Sequence, residues 1–393
     1  MARCAHDRGK RAGIVTGSPP EPGAIHFAVT HSAAGGLREL WNDLAEGLAA
    51  RGHRVGRFAL YPPDRAETEA VDFTAWHHVT RSRPRNCIDS VRLFAALVRF
   101  LRRARPAAVV SAMPACNVLL PLAVAVGRVP TRVYISHHSP TGTHNRLLDR
   151  IDGLTGSLPC VAAVISVSDA VAASLARKPG RYRAKRRTIH NALPASIERQ
   201  LDELVDRAPR GGTPLRIVAL GRLTEQKNYP MLLRAMTEVS GAVLELVGGG
   251  ADEAALCALA AELDLQDKVT FAGPLPRDAA LTRAASADIF AQVSLYEGHS
   301  LALIEAARLA LPLIVSDVPV QVEGITARDG TRCGIVVPLG CSDALAAQIN
   351  RLVADPAERA RWSMRARRLG LESSSEAMLD AYEAMLAPSA SAG

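Results

Sequence analysis

Residues 215–227 read Leu-Arg-Ile-Val-Ala-Leu-Gly-Arg-Leu-Thr-Glu-Gln-Lys, which is an apolar run followed by a glycine and a loop with two cations. The apolar run predicts a buried strand of a parallel sheet, and Asn228 with Pro230 predicts a helix after the loop. Ligands of such sheets bind beyond the carboxyl ends of the strands. The planar fork of Arg222 and the point charge of Lys227 suit a diphosphate there, and two solvated loop cations are the alternative.

The same alternation of short β-branched runs and helical stretches continues over most of the chain. It predicts an α/β protein with two doubly wound, Rossmann-like domains that face each other across a cleft. The length of 393 residues agrees with two hydrophobic cores. The predicted units are a loose N-terminal tail (1–22), a first domain (23–195), a linker (196–213), a second domain (214–372), and a C-terminal helix and tail (373–393) placed to pack back on the first domain.

Individual elements follow from the apolar runs and their spacing. In the first domain we predict strands over 25–30, 54–60, 108–111, 132–136 and 163–167, and helices over 37–50, 88–103, 145–156 and 169–176. In the second domain we predict strands over 215–220, 243–247, 269–272, 289–292, 313–315 and 334–337, and late helices over 344–353, 356–368 and 376–385.

Charge is divided unevenly between the halves of the chain. Residues 1–210 carry 31 basic and 17 acidic side chains, a net +14, whereas residues 211–393 carry 16 and 22, a net −6. The basic run 177–187 is either a solvated loop or a contact for anionic lipid or a phosphate-bearing acceptor. Aromatic residues make up only 4% of the chain, too few to suggest a stacking platform for bases, so nucleic acid is not an expected partner.

Several features indicate a cytoplasmic protein that binds membranes, if at all, from the surface of the inner face. The uncharged segment 107–127 contains Pro114, Asn117 and Pro121, which favours a buried strand and helix over a membrane span. The basic start of the chain is not followed by the apolar stretch of a signal peptide. The seven cysteines are odd in number and lack Cys-x-x-Cys spacing, which is typical of reduced thiols without a zinc site.

A second constellation lies at the predicted strand end near residue 292. Glu297 and Glu305 stand eight positions apart, and Ser300 between them predicts the N-cap of a helix. The free N–H groups of Leu301 and Ala302 would then point toward a bound anion, and Gly298 would let the backbone approach a ligand. A lone glutamate at a helix start is often only a dipole partner, but this pair is harder to explain in that way.

The third constellation is His137-His138 at the end of a predicted strand. Neighbouring side chains of a strand point to opposite faces, so only one of these histidines is expected to reach the cleft. Neither has a second ligand at the spacing of a zinc motif.

Other reaction classes fit the sequence less well. The run 247–253 lacks Gly-x-Gly-x-x-Gly, and no P-loop motif occurs, which argues against a dehydrogenase or a P-loop NTPase. Ala302 replaces the second glycine of a serine hydrolase elbow at Ser300. The phosphate-binding cations have no role in a glycosidase.

Taken together, these residues resemble family four of the retaining glycosyltransferases, which have the GT-B fold. The resemblance extends over nearly all of the chain after about residue 24. The matching segments are 31–40, 44–55, 164–169, 189–194, 221–227, 297–305 and 316–318, with Glu323 and Gly334. The chain departs from the family pattern at Ala192, Pro319 and His299, and the last of these leaves sugar specificity open.

The resemblance implies transfer of a sugar from a nucleotide diphosphate sugar to a saccharide or lipid-linked acceptor, in polysaccharide or glycoconjugate synthesis, without a metal or other cofactor. The implied catalytic residues are His138, Glu297, Arg222 and Lys227. The implied donor-binding residues are Gly35, Gly36, Arg222, Lys227, Gly298, His299, Ser300, Leu301, Ala302 and Glu305. Glu305 would accept hydrogen bonds from the ribose, and His138 matches the strand-end histidine of the family better than His137. A nucleotide-sugar 2-epimerase and a non-catalytic nucleotide-sugar-binding protein stay as alternatives.

Overall fold

Two parallel sheets, one in each half of the chain, form the framework of the protein. The computed structural model describes residues 22–33, 35–63, 76–207 and 210–387. The predicted tail over 1–22 lies outside these residues except for Pro22. The two-domain α/β architecture predicted from the sequence is confirmed.

The first sheet has the strand order β3-β2-β1-β4-β5-β6-β7, with all neighbours parallel. Its strands are β1 Ile25–His31, β2 Val55–Tyr61, β3 His77–His78, β4 Ala108–Ala112, β5 Arg132–His137, β6 Val161–Ser166 and β7 Arg186–Thr188. The helices of this domain are α1 Gly36–Ala50, α2 Cys87–Ala104, α3 Pro114–Gly127, α4 Arg146–Thr155, α5 Asp169–Ser174 and α6 Gly180–Arg183.

The second sheet has the order β10-β9-β8-β11-β12-β13 and is also parallel. Its strands are β8 Leu215–Leu220, β9 Ala242–Val247, β10 Val269–Gly273, β11 Ile289–Gln292, β12 Leu313–Ser316 and β13 Ile335–Val337. The helices of the second half are α7 Ala195–Arg207, α8 Tyr229–Thr237, α9 Glu253–Glu262, α10 Arg277–Ala285, α11 Leu301–Arg308, α12 Pro319–Gly324, α13 Ser342–Ala354, α14 Pro356–Glu372 and α15 Ser375–Leu386.

In each sheet the strand order reverses once, between β1 and β4 in the first and between β8 and β11 in the second. Connections on the two sides of such a point lead away from each other, which leaves a crevice at the carboxyl ends of the strands. The loops after β8 and β11 carry the two constellations predicted in the second domain. Topology therefore brings them to one crevice although they are about 70 residues apart in sequence.

The predicted linker over 196–213 is largely the helix α7. Its apolar residues Ile197, Leu201, Leu204 and Val205 follow helical spacing and join the core of the second domain. The polar composition of the segment concealed this spacing, because only one stripe of the helix is apolar. The short edge strands β3 and β7 were not predicted either.

The C-terminal helix α15 lies on the first domain, against α1. Met378, Tyr382 and Leu386 are buried in the core cluster around Trp41 of α1. Arg51 binds three carboxylates of α15, at 2.6–2.9 Å. The last helix thus ties the end of the second half to the first domain.

The uncharged segment 107–127 forms β4 and α3 within the first domain. Among the helices described, none combines the length and apolarity needed for a bilayer span.

Candidate active site

The cationic loop turns sharply directly after β8. Gly221 has a φ of +145°, which other residues rarely adopt. A β-carbon at Gly221 would lie 2.7 Å from Cε of Lys227, so the lysine side chain folds over this glycine. A β-carbon at Gly248 would lie only 2.0 Å from the carbonyl oxygen of Gly221. The glycine run after β9 therefore packs directly on the cationic loop and holds its shape.

Backbone and side-chain hydrogen bonds join this loop to the loop after β11. The N–H of Leu295 donates to the carbonyl oxygen of Gln226 at 2.8 Å. The side chain of Asn228 donates to the carbonyl oxygen of Val293 at 3.1 Å. The two loops therefore form one connected unit.

Lys227 and Glu297 meet at the centre of this unit. Nζ of Lys227 lies 2.7 Å from Oε1 of Glu297, and the hydroxyl of Ser294 donates to the same oxygen at 2.7 Å. The amide of Gln226 donates to Oε2 at 3.3 Å. Glu297 is only 7% exposed, so its charge depends on these partners. The convergence of the cationic loop and the acidic segment, expected from the sequence, is present in the structure.

Arg222 differs from Lys227 because its side chain is exposed. No acceptor for its guanidinium group is found among the described residues, and a bound anion would supply one. The loop thus holds Lys227 in a salt bridge and leaves Arg222 exposed, and the other N–H groups of Lys227 can still donate to an anion.

The helix α11 begins beside Glu297, as predicted. Ser300 is its N-cap, and its hydroxyl accepts from the N–H of Leu303 at 3.3 Å and donates to Gln292 at 2.8 Å. The N–H groups of Leu301 and Ala302 belong to the first turn, where no intrahelical acceptor exists. This end of α11 is therefore suited to an anion.

The first domain comes close to this unit at Gly298 and at Leu301. A β-carbon at Gly298 would lie 2.1 Å from the carbonyl oxygen of His138, so only glycine permits this approach. A β-carbon at Gly36 would lie 3.8 Å from Cδ1 of Leu301. Gly35, the N-cap of α1, has a φ of +150° and faces open space. The predicted residues of both domains thus border one cleft.

The two histidines at the end of β5 occupy different environments. His137 is buried and its Nε2 lies 2.7 Å from the hydroxyl of Tyr182, inside the first domain. His138 lies against Gly298, with its Nε2 2.9 Å from the hydroxyl of Ser136 and its ring edge-on to Trp41. Burial lowers the pKa of His138 to about 3. The backbone of His138 therefore borders the cleft, whereas its neutral ring packs against Trp41 and Ser136.

Glu305 has a partner that sequence reasoning missed. Its Oε1 accepts from Nη2 of Arg277 at 3.0 Å, and Nη1 of the same arginine donates to Asp43 of α1 at 3.2 Å. Burial raises the pKa of both carboxyls, and Arg277 opposes this shift. Arg277 therefore holds Glu305 in place and links it to the first domain. No motif marks Arg277, because its partners come from helices that are distant in sequence.

His299 also lies at the domain boundary. Its carbonyl oxygen accepts from the side chain of Asn191 at 2.9 Å. Its ring packs edge-on against His190, whose Nε2 is 3.0 Å from Glu323. Glu323 in turn accepts from the N–H groups at the start of α5 at 2.7 and 2.8 Å. In this structure His299 contributes to the contact between the domains.

Two facing Rossmann-like domains, with a cationic loop and a helix N-terminus at the cleft, define a GT-B protein. Two family models match the chain, Glycosyltransferase Family 4 over residues 34–196 and Glycosyl transferases group 1 over residues 202–369. The chain belongs to glycosyltransferase family four.

Relatives and solved structures agree with this membership. The chain is 33% identical over 141 residues to the amylovoran biosynthesis glycosyltransferase AmsD of Erwinia amylovora, which covers 35% of this chain and 38% of the relative. It is 30% identical over 174 residues to the lipopolysaccharide core biosynthesis glycosyltransferase LpsE of Rhizobium meliloti. This alignment covers 44% of this chain and 49% of LpsE. Both alignments thus span less than half of the relative's length.

The structure of Anabaena HepE in complex with UDP-glucose superimposes with a TM-score of 0.75 at 16% identity, covering 92% of this chain and 99% of HepE. At this identity the likeness shows the shared fold.

Proposed function

We propose that this protein transfers a sugar from a nucleotide diphosphate sugar to an acceptor with retention of anomeric configuration. The observation that carries the proposal is the buried pair of Lys227 and Glu297 at the crevice of the second sheet, beside exposed Arg222 and the start of α11. Family membership supports the proposal, since the relatives are named as glycosyltransferases.

The chemistry follows from the charges at this crevice. When the bond from the sugar to the diphosphate breaks, negative charge grows on the diphosphate. Arg222, Lys227 and the free N–H groups of α11 are fixed donors for that charge, and such preorganised groups are the main source of stabilisation in many active sites. Glu297 would contact the transferred sugar, and neutral His138 of the first domain would contact the sugar or the acceptor.

The proposal includes catalysis without a metal or other cofactor, because side-chain cations and a helix N-terminus provide the positive charge. We expect turnover to be unchanged in excess EDTA, and a loss that Mg²⁺ or Mn²⁺ restores would contradict this part.

We further propose a saccharide or lipid-linked acceptor and work at the cytoplasmic face of a membrane. The relatives are named for amylovoran and lipopolysaccharide core synthesis, and HepE was crystallised with UDP-glucose.

The test is calorimetric titration of the protein with UDP-, GDP- and ADP-sugars, followed by NMR of the product anomer with an acceptor. Donor binding and a product of unchanged anomeric configuration would support the transferase. A product formed without acceptor would favour the 2-epimerase. Donor binding without turnover, with Glu297→Gln altering affinity alone, would indicate a binding protein. Absence of binding to every donor would refute all three.

A further inference from the structure

The helices α2, α3 and α4 form one outer layer of the first domain, because α3 packs against α2 on one side and α4 on the other. Their inner sides join the core of the sheet through residues such as Leu97 and Leu120. Their outer sides, which we call the α2–α4 face, have no protein partner among the described residues.

Large apolar side chains are concentrated on the α2–α4 face. Of nine exposed large hydrophobic residues described in the structure, six belong to these three helices, with exposures between 38% and 70%. They are Ile88, Val91, Leu122, Val126, Leu147 and Leu154. Scattered single apolar residues are ordinary, but a concentration on one layer marks a contact surface.

The same face is strongly basic. The segment that forms it, residues 81–155, contains 12 arginines and three aspartates, a net charge of +9, whereas the whole chain carries +8; of these arginines, Arg132 lies on β5 and binds carbonyl oxygens at the end of α15 instead. Exposed arginines alternate with the apolar residues: Arg85 and Arg92 flank Ile88 and Val91, and Arg146 precedes Leu147. The acids offset little of this charge. Asp89 accepts from the backbone of Arg85 and lies 3.7 Å from Arg92.

The remaining two acids of the face are paired within the domain. Asp149 and Asp152 bind Lys178, at 2.7 and 2.8 Å. This contact also places the basic run 177–187 next to α4, with Arg181 and Arg183 exposed. The run is therefore a short helix and edge strand that continues the basic face, and one of its two lysines is buried.

We propose that the α2–α4 face docks on an anionic lipid surface, with Ile88 and Val91 entering the interface and the arginines pairing with lipid phosphates. Apolar residues beside cations match a lipid surface, because such a surface offers both an apolar interior and anionic headgroups. A polyanion alone would leave the apolar residues in water.

The orientation of the face fits this partner. α2, α3 and α4 all start at the carboxyl edge of the first sheet, the edge that borders the cleft. Ile88, Val91 and Leu147 lie in the first turns of their helices, so they stand at the cleft side of the domain. Docking here would bring the cleft near a lipid-linked acceptor, a use that rests on the proposed function.

The experiment is flotation of the full-length chain, without donor, on vesicles of phosphatidylcholine with or without about one-third phosphatidylglycerol. We expect binding to the anionic vesicles that weakens as salt rises. Arg85→Gln with Arg92→Gln should weaken binding about 25-fold, because each cation at such a surface contributes about fivefold. Ile88→Ser with Val91→Ser should weaken it about tenfold, from apolar area left in water.

Met364→Ser with Leu371→Ser is the matched control, because these residues are 67% and 52% exposed on α14 of the second domain. Equal binding to neutral and anionic vesicles, or wild-type binding by both first-domain variants, would overturn the proposal. Loss in the arginine variant alone would also overturn it, in favour of a polyanion such as nucleic acid. Vesicle binding without any donor binding would refute the transferase and leave this proposal standing.

Discussion

Replacement of Arg277 by alanine tests whether Glu305 depends on the arginine that joins it to Asp43. The side chains of Glu305 and Asp43 are only 11% and 14% exposed, so both would lose their shared cation in a mostly buried place. Removing one partner of a buried ion pair costs about 3–5 kcal/mol, and partial access to water puts the expected loss of unfolding free energy near 3 kcal/mol.

The loss of unfolding free energy caused by Arg277→Ala should depend on pH. Burial already raises the pKa of both carboxyls, and without Arg277 both pKa values rise further. A carboxyl with a raised pKa binds more protons in the folded state, so its contribution to stability falls as pH rises. The difference in unfolding free energy between wild type and Arg277→Ala should therefore be small near the ordinary pKa of a carboxyl. It should grow as pH rises through the raised pKa values of Glu305 and Asp43. Urea unfolding across this pH range measures it.

Donor affinity provides the second readout. Without Arg277, Glu305 loses the partner that orients its carboxylate, and a charged hydrogen bond to a ribose is worth about 1.5–3 kcal/mol, so Kd should rise about 10- to 100-fold. Arg277→Lys should recover part of the affinity. Arg283→Ala, on the same helix, is the control, since Arg283 forms a more exposed pair with Glu245. A stability difference that is constant with pH, together with wild-type affinity, would refute this reasoning.

Three further outcomes are expected. Gly298→Ala should lower kcat/KM at least tenfold, since a β-carbon there would collide with the opposite domain. Gly212→Ala is the control, because a β-carbon at Gly212 would enter open space. Equal kinetics of the two variants would contradict the close approach at Gly298. Lys227→Ala should lower kcat by about 10²–10³ with donor saturating, the usual cost of losing one preorganised donor; a change in KM alone would assign it to ground-state binding. The pKa of His190 is raised chiefly by its bond to Glu323, so this contact should stabilise the domain interface below the ordinary pKa of histidine and lose its effect as pH rises through the raised value. Wild-type and Glu323→Gln unfolding should then converge at high pH, and a gap that persists unchanged would count against the pair.

Much of the fold was predictable because both sheets are buried on both faces. The central strands of such a sheet are apolar runs, so β1, β8 and β11 appear in the sequence almost with their observed bounds. Prediction failed for α7 and for the edge strand β7. One is a helix with a narrow apolar stripe in a polar segment, and the other is a three-residue strand of mostly charged residues.

The candidate site divides in a similar way. Arg222, Lys227, Glu297 and the Ser300 cap each follow a strand, and that position is readable because the carboxyl ends of parallel strands gather at one edge. The proposed docking face was only partly readable: its charge is visible in the sequence, but exposure of Ile88 and Val91 is not, since buried helices carry the same residues.

What the sequence by itself determined is therefore the local content of the protein: two series of strands and helices, and the chemical groups at the strand ends. Only the tertiary structure decided which groups meet. It placed Lys227 on Glu297, brought the backbone of His138 against Gly298, and gave Glu305 an arginine shared with Asp43. The physical reason is that strand and helix patterns depend on near neighbours, whereas these contacts join residues from 28 to more than 230 positions apart and depend on how the elements and the two domains pack.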